Sequence, residues 1–226
     1  VSIIEHPAVR HNLINMKSRV EAMRALLYYA ALQFDLEKIA KTEKEKENRQ
    51  NMIDLLTPMC KGWCTEVGLE VVQAGLQVMG GVGYTKDFPL EQLYRDARIS
   101  TIYEGTTDIQ ALDLIGRKIL RNDGALFQQL MGHYSELINE HSDNQEIGQL
   151  INIFEGYCES LYETSMSTQE ILKERGMESI ALYATPFLMF ISSVTAGWLL
   201  LQQAVVASEK LSIIRTKEGL EDLEDS

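Results

Sequence analysis

The sequence has little of what a sheet protein, a secreted protein or a nucleic-acid-binding protein would need. It contains 4 prolines among 226 residues, and no strand-and-turn pattern recurs, so a β-sheet is not expected. Its 3 cysteines make no disulfide framework, and we expect reduced core thiols and no metal site. The 33 acidic residues outnumber the 21 basic ones, for a formal net charge of −12. This balance opposes attraction to phosphate backbones and argues against a nucleic-acid partner.

Long stretches instead repeat apolar residues every three or four positions, which is the period of an amphipathic helix. We predict two long antiparallel helices, over residues 8–36 and 51–80. Residues 37–50 between them alternate lysine and glutamate, and they should form a solvated connection or a protruding helical end. Two shorter helices and a C-terminal group of helices follow. The predicted fold class is therefore all-α, an antiparallel helical bundle followed by a second small helical bundle.

Residues 121–124 read Arg-Asn-Asp-Gly, a turn signal that is the best domain boundary in the chain. We predict one domain over residues 1–122 and another over 123–226. Residues 179–208 carry no charge and are long enough to span a bilayer. Thr185 and Pro186 should restart a helix within them, and a buried central helix is favoured over a membrane span. A membrane-docking role stays an alternative.

The stretch from Gln77 to Gln110 contains the residues that could carry chemistry. Glycines end the second long helix there, where close backbone approach becomes easy. Pro89 opens a short helix that should bury Leu93, Tyr94 and Ala97. Glu104 and Gly105 then interrupt the chain. Thr106 or Thr107 should cap the next helix, with an apolar stripe of Ile109, Leu112, Ile115 and Ile119.

In order along the chain, the blocks Gln77, Gly80-Gly81, Gly83-Tyr84, Arg95-Asp96 and Tyr103-Glu104-Gly105-Thr106 resemble the C-terminal helical region of the FAD-dependent acyl-CoA dehydrogenases. The match covers roughly residues 3–121 and is most similar to the longer bacterial type, which has extra C-terminal helices and acts on acyl-CoA or methylthio-acyl-CoA thioesters. The resemblance implies an oxidoreductase that converts an acyl-CoA thioester to the trans-2-enoyl-CoA. A base removes the α-proton while a hydride leaves the β-carbon for FAD. A homo-oligomer and an electron acceptor such as an electron-transfer flavoprotein are also implied.

The resemblance places Glu104 at the position of the catalytic base, with its backbone N–H directed at the thioester oxygen. Tyr103, Glu104 and Gly105 are the implied substrate contacts. From spacing alone, a glutamate before a glycine is more often an exposed or capping residue. Tyr84 and Tyr103 flank the site and are favoured as core aromatics with a hydrogen-bonded hydroxyl. Ion pairing is expected for the charged residues of the preceding helix, Arg95, Asp96 and Arg98.

The implied cofactor contacts lie on two parts of the stretch. Gln77, Gly80 and Gly81 correspond to a segment that reaches the adenosine half of the FAD of a neighbouring subunit. Thr106 corresponds to a residue near the flavin pyrophosphate, where a helix N-terminus favours anionic oxygens. Asp108 stands where the family commonly has an amide, and its charge would repel a pyrophosphate.

Three interpretations follow: part of a flavoenzyme, a non-catalytic helical dimerisation or interaction domain, and a membrane-docking module. The resemblance supplies no counterpart here of the family's N-terminal helical and middle β-domains. We therefore expect the chain alone to be inactive and not to retain FAD. No signal peptide opens the sequence, and the cytoplasm is the simplest compartment.

Overall fold

The computed structural model describes residues 1–120 and 124–218. All regular structure within those residues is helical, which confirms the all-α prediction. The main helices are α1 (Pro7–Lys38), α2 (Glu43–Met79), α3 (Leu90–Arg98), α4 (Thr107–Asp113), α5 (Ala125–His141), α6 (Gly148–Arg175) and α7 (Met177–Glu218). Short 3-10 turns occupy Ile3–Glu5, Gly80–Tyr84 and Ile99–Thr101, and a π-helical turn over Leu114–Ile119 continues α4.

The charged connection turns out to be mostly helical. A capping box starts α2: the Glu45 N–H donates to Thr42 Oγ1 at 3.1 Å, and the Thr42 N–H donates to Glu45 Oε2 at 3.2 Å. These bonds satisfy backbone donors that the first turn of a helix leaves free. Residues 43–50 are thus the exposed first turns of α2, as the alternative of a protruding helical end predicts.

The core is continuous from the first helices to the last. The Trp63 Nε1–H of α2 donates to Ser193 Oγ of α7 at 3.0 Å. The Tyr134 hydroxyl of α5 lies 2.7 Å from Thr195 Oγ1 of α7. The predicted domain boundary after Asn122 lies outside the described residues and stays a prediction, but the described helices on its two sides share one core.

The middle of α7 is a core helix of this bundle. Its described part, Met177–Arg215, is long and apolar enough to cross a membrane, yet 56% of its most apolar window is buried. The predicted restart at Thr185 and Pro186 is wrong, because α7 continues through Pro186 without a break. Burial on both sides of the proline, at Ala184, Phe187 and Leu188, compensates for the one backbone hydrogen bond that a proline removes.

Two predicted apolar faces are wrong in part. On α3, Leu93 and Tyr94 are 47% and 36% exposed, because the side of this helix that packs on α2 carries Leu90, which lies against Gly75. On α4, Ile109 and Leu112 are exposed. The buried residues there are Thr107, Ala111, Leu114, Ile115 and Ile119. They recur every three or four positions, so the buried face is rotated away from Ile109 and Leu112 but includes the predicted Ile115 and Ile119.

Candidate active site

The segment between the Ile99–Thr101 turn and α4 has unusual backbone geometry. Glu104 has φ +54°, and it is the one non-glycine residue with positive φ among the described residues. Gly105 follows with φ +92°. Left-handed backbone is disfavoured for a side chain with a Cβ, and such residues concentrate at functional sites. The turn places the Glu104 side chain at an exposed position.

Hydrogen bonds on both sides hold this turn. The Tyr103 N–H donates to the Ile99 carbonyl at 3.1 Å, and Gln110 Nε2 donates to the Glu104 carbonyl at 3.3 Å. The Glu104 N–H itself makes no hydrogen bond within the described part of the chain. The base candidate therefore sits on a supported turn with a free backbone donor.

The start of α4 is fixed to two other helices. Thr107 is buried, and its hydroxyl donates to Glu66 Oε1 of α2 at 2.6 Å. The Thr185 hydroxyl of α7 donates to the Asp108 carboxylate. Thr106 occupies the N-cap position of α4, but no side chain caps this helix. The predicted capping hydrogen bond is thus wrong, because the Thr107 hydroxyl is directed at Glu66 instead.

A groove of about 410 Å³ lies between α2, the base turn, α4 and α7. It is lined by Glu66, Glu70, Arg98, Thr101, Ile102, Thr106, Thr107, Asp108, Thr185 and Met189. Three carboxylates and one guanidinium line this groove. The excess of negative charge would repel the pyrophosphate of a flavin cofactor, so these residues do not fit that group. The contact of Asp108 with a cofactor stays a prediction, and in this structure its carboxylate has a protein partner, Thr185.

Next to Glu104 in the chain, Tyr103 and Ile102 are 51% and 46% exposed. An accessible carboxylate beside exposed apolar side chains fits the reacting end of an acyl thioester and a flat flavin ring. The predicted burial of Tyr84 and Tyr103 as core aromatics is wrong, because Tyr84 is 84% exposed and lies in the glycine-rich turn. Exposure leaves both rings free to contact a ligand.

The charged residues before the site do not pair with one another. Arg95 Nε lies 3.0 Å from Glu91 Oε2, and this guanidinium holds the pKa of the Glu91 carboxyl below its usual value. Asp96 accepts a bond from Gln92, and Arg98 donates to Thr101 Oγ1 at 2.6 Å. The predicted ion pairing is therefore met by Arg95, whose partner is Glu91. It is wrong for Asp96 and Arg98, because within the described residues each makes a hydrogen bond to an uncharged side chain instead.

The other predicted cofactor residues lie on a separate surface. Gln77, Gly80 and Gly81 are exposed at the C-terminal end of α2. Gly80 has φ +64°, and its N–H donates to the Gln77 carbonyl. Gln77 lies eleven residues beyond Glu66, which is roughly 16 Å along a helix axis. The structure does not bring this segment to the base turn, and its contact with FAD stays a prediction.

Sequence reasoning missed two residues beneath the base turn. Glu66 anchors α4 through Thr107, and Lys61 places its ammonium 5.8 Å from the centre of the Tyr103 ring. Both are charged residues within the otherwise apolar run of α2 from Met59 to Val67. A charge inside an apolar helical run is the signal that could have identified them.

Comparison with known proteins identifies the family to which this helical bundle belongs. The family described as "Acyl-CoA dehydrogenase, C-terminal domain" matches residues 1–120, and "Acetyl-CoA dehydrogenase C-terminal like" matches residues 130–223. The chain belongs to the acyl-CoA dehydrogenase family, and the predicted resemblance is confirmed.

Individual relatives match nearly the whole chain. The 3-methylmercaptopropionyl-CoA dehydrogenase of Ruegeria pomeroyi is 36% identical over 214 residues, which are 94% of this chain and 36% of that protein. The broad-specificity linear acyl-CoA dehydrogenase FadE5 of Mycobacterium tuberculosis is 32% identical over 217 residues, 92% of this chain and 35% of that protein. The chain thus spans about a third of the length of these curated relatives.

Solved structures share the fold. ACDH-11 of Caenorhabditis elegans in complex with C11-CoA superposes with a TM-score of 0.73 at 22% identity, over 86% of this chain and 32% of that one. An acyl-CoA dehydrogenase of Bacillus anthracis complexed with FAD gives a TM-score of 0.69 at 19% identity, over 90% and 37% of the two chains.

Proposed function

We propose that this chain supplies the catalytic base and the C-terminal helical support of an FAD-dependent acyl-CoA dehydrogenase. The observation that carries the proposal is Glu104. Its carboxylate is exposed on a left-handed turn that the surrounding helices hold in place, and we assign it the role of the family's base from the resemblance of its motif. A disfavoured backbone conformation maintained by its surroundings is typical of a residue positioned for chemistry.

The turn can perform two parts of an α,β-dehydrogenation. The Glu104 carboxylate takes the α-proton of the acyl thioester. The free Glu104 N–H donates to the thioester carbonyl oxygen and stabilises the negative charge that develops there as the proton leaves. A bound FAD would supply the acceptor for the hydride that leaves the β-carbon, so that the product would be the trans-2-enoyl-CoA.

The names of the relatives support the substrate class. The Ruegeria relative is named for a 3-methylmercaptopropionyl-CoA substrate, and the mycobacterial relative for linear acyl-CoA substrates. We propose an acyl-CoA substrate, FAD as cofactor and an electron-transfer flavoprotein as the type of electron acceptor. The burial of α7 favours this function over a membrane-docking role.

Replacing Glu104 with Gln in the full-length enzyme tests the assignment. The amide keeps the size of the side chain but cannot take up a proton, so flavin reduction by acyl-CoA should fall at least about a thousandfold. Binding should persist, and the flavin absorption spectrum should still shift when acyl-CoA is added. Stopped-flow spectroscopy measures both effects.

Glu159→Gln is the matched control, because Glu159 is an exposed carboxylate on α6. The flavin of this variant should be reduced by acyl-CoA at the wild-type rate. Comparable rates in wild type and Glu104→Gln would place the base elsewhere. If the wild type also fails to reduce its flavin with acyl-CoA, the interaction-domain alternative is the better explanation.

We also propose that the chain forms a homo-oligomer. The outer face of α1 exposes apolar side chains, among them Tyr28 at 70% and Leu27, Leu32 and Phe34 at 47–49%. Exposed apolar faces of this kind promote association. Sedimentation velocity should show a dimer or larger species, and a clean monomer at micromolar concentration would contradict the proposal.

A further inference from the structure

Lys61 is an anomaly within α2. Its Nζ atom is shielded from solvent and has no hydrogen-bond partner within the described residues. Burying an ammonium without an acceptor is unfavourable, and such groups are normally paired or kept in water. A lysine in this position should therefore stabilise the fold less than an apolar residue of similar length, such as methionine. Its presence suggests a role that requires the charge.

Within the described part of the chain, this ammonium makes a cation–π contact with the base turn. It lies 5.8 Å from the centre of the Tyr103 ring, within the range of a cation–π contact, which strengthens when water is excluded. Tyr103 immediately precedes the left-handed Glu104. The ammonium of Lys61 therefore lies over the ring of Tyr103, the residue next to the proposed base.

The surrounding contacts explain why the turn needs this support. Thr107 and Gln110 fix the α4 side of the turn. On the other side, the Tyr103 N–H bond to Ile99 holds only the backbone, and the tyrosine side chain is half exposed. Among the described residues, the ammonium of Lys61 is the charged group that lies over the ring itself.

We propose that Lys61 is a positioning residue for Glu104: through the Tyr103 ring, its ammonium keeps residues 103–105 in the left-handed turn that presents the carboxylate. This proposal rests on the proposed function for its catalytic consequence but not for its structural one. Removing the ammonium of Lys61 should therefore loosen the turn and leave the rest of the fold intact.

The first test needs no catalysis and uses this chain. Lys61→Met keeps the length of the side chain and removes the unpaired buried charge, so the thermal midpoint should stay unchanged or rise. Exchange of the Tyr103 amide hydrogen, followed by NMR, should become about tenfold faster, as expected for the loss of a desolvated cation–π contact. Lys61→Arg keeps the cation and should restore slow exchange.

Lys44→Met is the matched control, since Lys44 is an exposed lysine in the first turn of the same helix, and it should change neither quantity. Tyr103→Leu should loosen the turn as Lys61→Met does, and the double variant should loosen it no further. Unchanged exchange in Lys61→Met would overturn the proposal. A lower thermal midpoint with faster exchange throughout the chain would overturn it as well, because that result describes an ordinary core residue.

The second test uses the full-length enzyme. Lys61→Met should slow flavin reduction by acyl-CoA about tenfold with little change in the dissociation constant of acyl-CoA, and Lys61→Arg should recover most of the rate. An active wild type with an equally active Lys61→Met variant would refute the positioning role. If the wild type does not reduce its flavin, the proposed function fails, and the amide-exchange test decides on Lys61 independently.

Discussion

Replacing Gly105 with Ala would disturb the base turn at its most constrained position. The backbone there has φ +92°, a conformation that residues with a Cβ rarely adopt. A Cβ built on Gly105 would lie 3.1 Å from Gln110 Nε2 and 3.4 Å from Ile109 Cγ2. The substitution therefore adds backbone strain and crowds the side chain that bonds to the Glu104 carbonyl.

The size of the effect follows from two opposing contributions. Backbone strain of this kind destabilises the folded state by about 1–3 kcal/mol. Alanine also restricts the unfolded chain, which offsets about 0.4–1 kcal/mol. We expect a net loss of about 1–2 kcal/mol, which for a chain of this size lowers the thermal midpoint by about 2–8 °C.

Gly132→Ala provides the matched comparison. Gly132 is exposed within α5, and a Cβ there would meet no other atom within 4 Å. The same chemical change should therefore stabilise the protein by about 0.5–1 kcal/mol, because alanine favours the helix. Calorimetry of the two variants checks the difference in sign. A Gly105→Ala variant as stable as Gly132→Ala would show that the left-handed turn is not required.

Two further predictions concern the core. Thr107→Val removes the hydroxyl that donates to Glu66 while keeping its shape, and it should lower the free energy of unfolding by about 1–3 kcal/mol; an unchanged urea midpoint would contradict the importance of this anchor. Burial raises the pKa of Cys158 to about 12 and lifts that of Tyr134 above its usual value. The unfolded chain releases these protons first, so stability should fall as the pH rises above about 9 for Cys158 and above about 10 for Tyr134, by up to ~1.4 kcal/mol per pH unit for each group. The urea midpoints at pH 8 and pH 10 measure this loss, and it should be smaller in Cys158→Ala than in the wild type. If the midpoints of both proteins fall equally between the two pH values, Cys158 is excluded as a source of the loss.

The long helices could be predicted from the sequence because their apolar residues recur over many turns. The chain break at Gly80 was equally clear, since glycine ends helices through positive φ values. The orientation of α3 and α4 was not predictable in the same way. Leu93 and Ile109 look like core residues in the sequence, but their exposure depends on which neighbours lie beside these short helices.

The position of the base turn was predicted from its motif, but its supports were not. Glu104 and Gly105 interrupt the helical pattern visibly. In contrast, the contact of Thr107 with Glu66 joins residues 41 positions apart, and that of Thr185 with Asp108 spans 77 positions. Such contacts exist only once the helices have packed, so they are beyond what local periodicity can indicate.

The shared core has a consequence for how the chain folds. Trp63 of α2 bonds to Ser193 of α7, and Tyr134 of α5 meets Thr195 on the same helix. The two families matched along the sequence meet in the 121–129 interval, but a cut there would leave buried side chains such as Met59 and Leu188 without their partners. The two halves should therefore melt together in a single cooperative transition, and neither should be an independent folding unit.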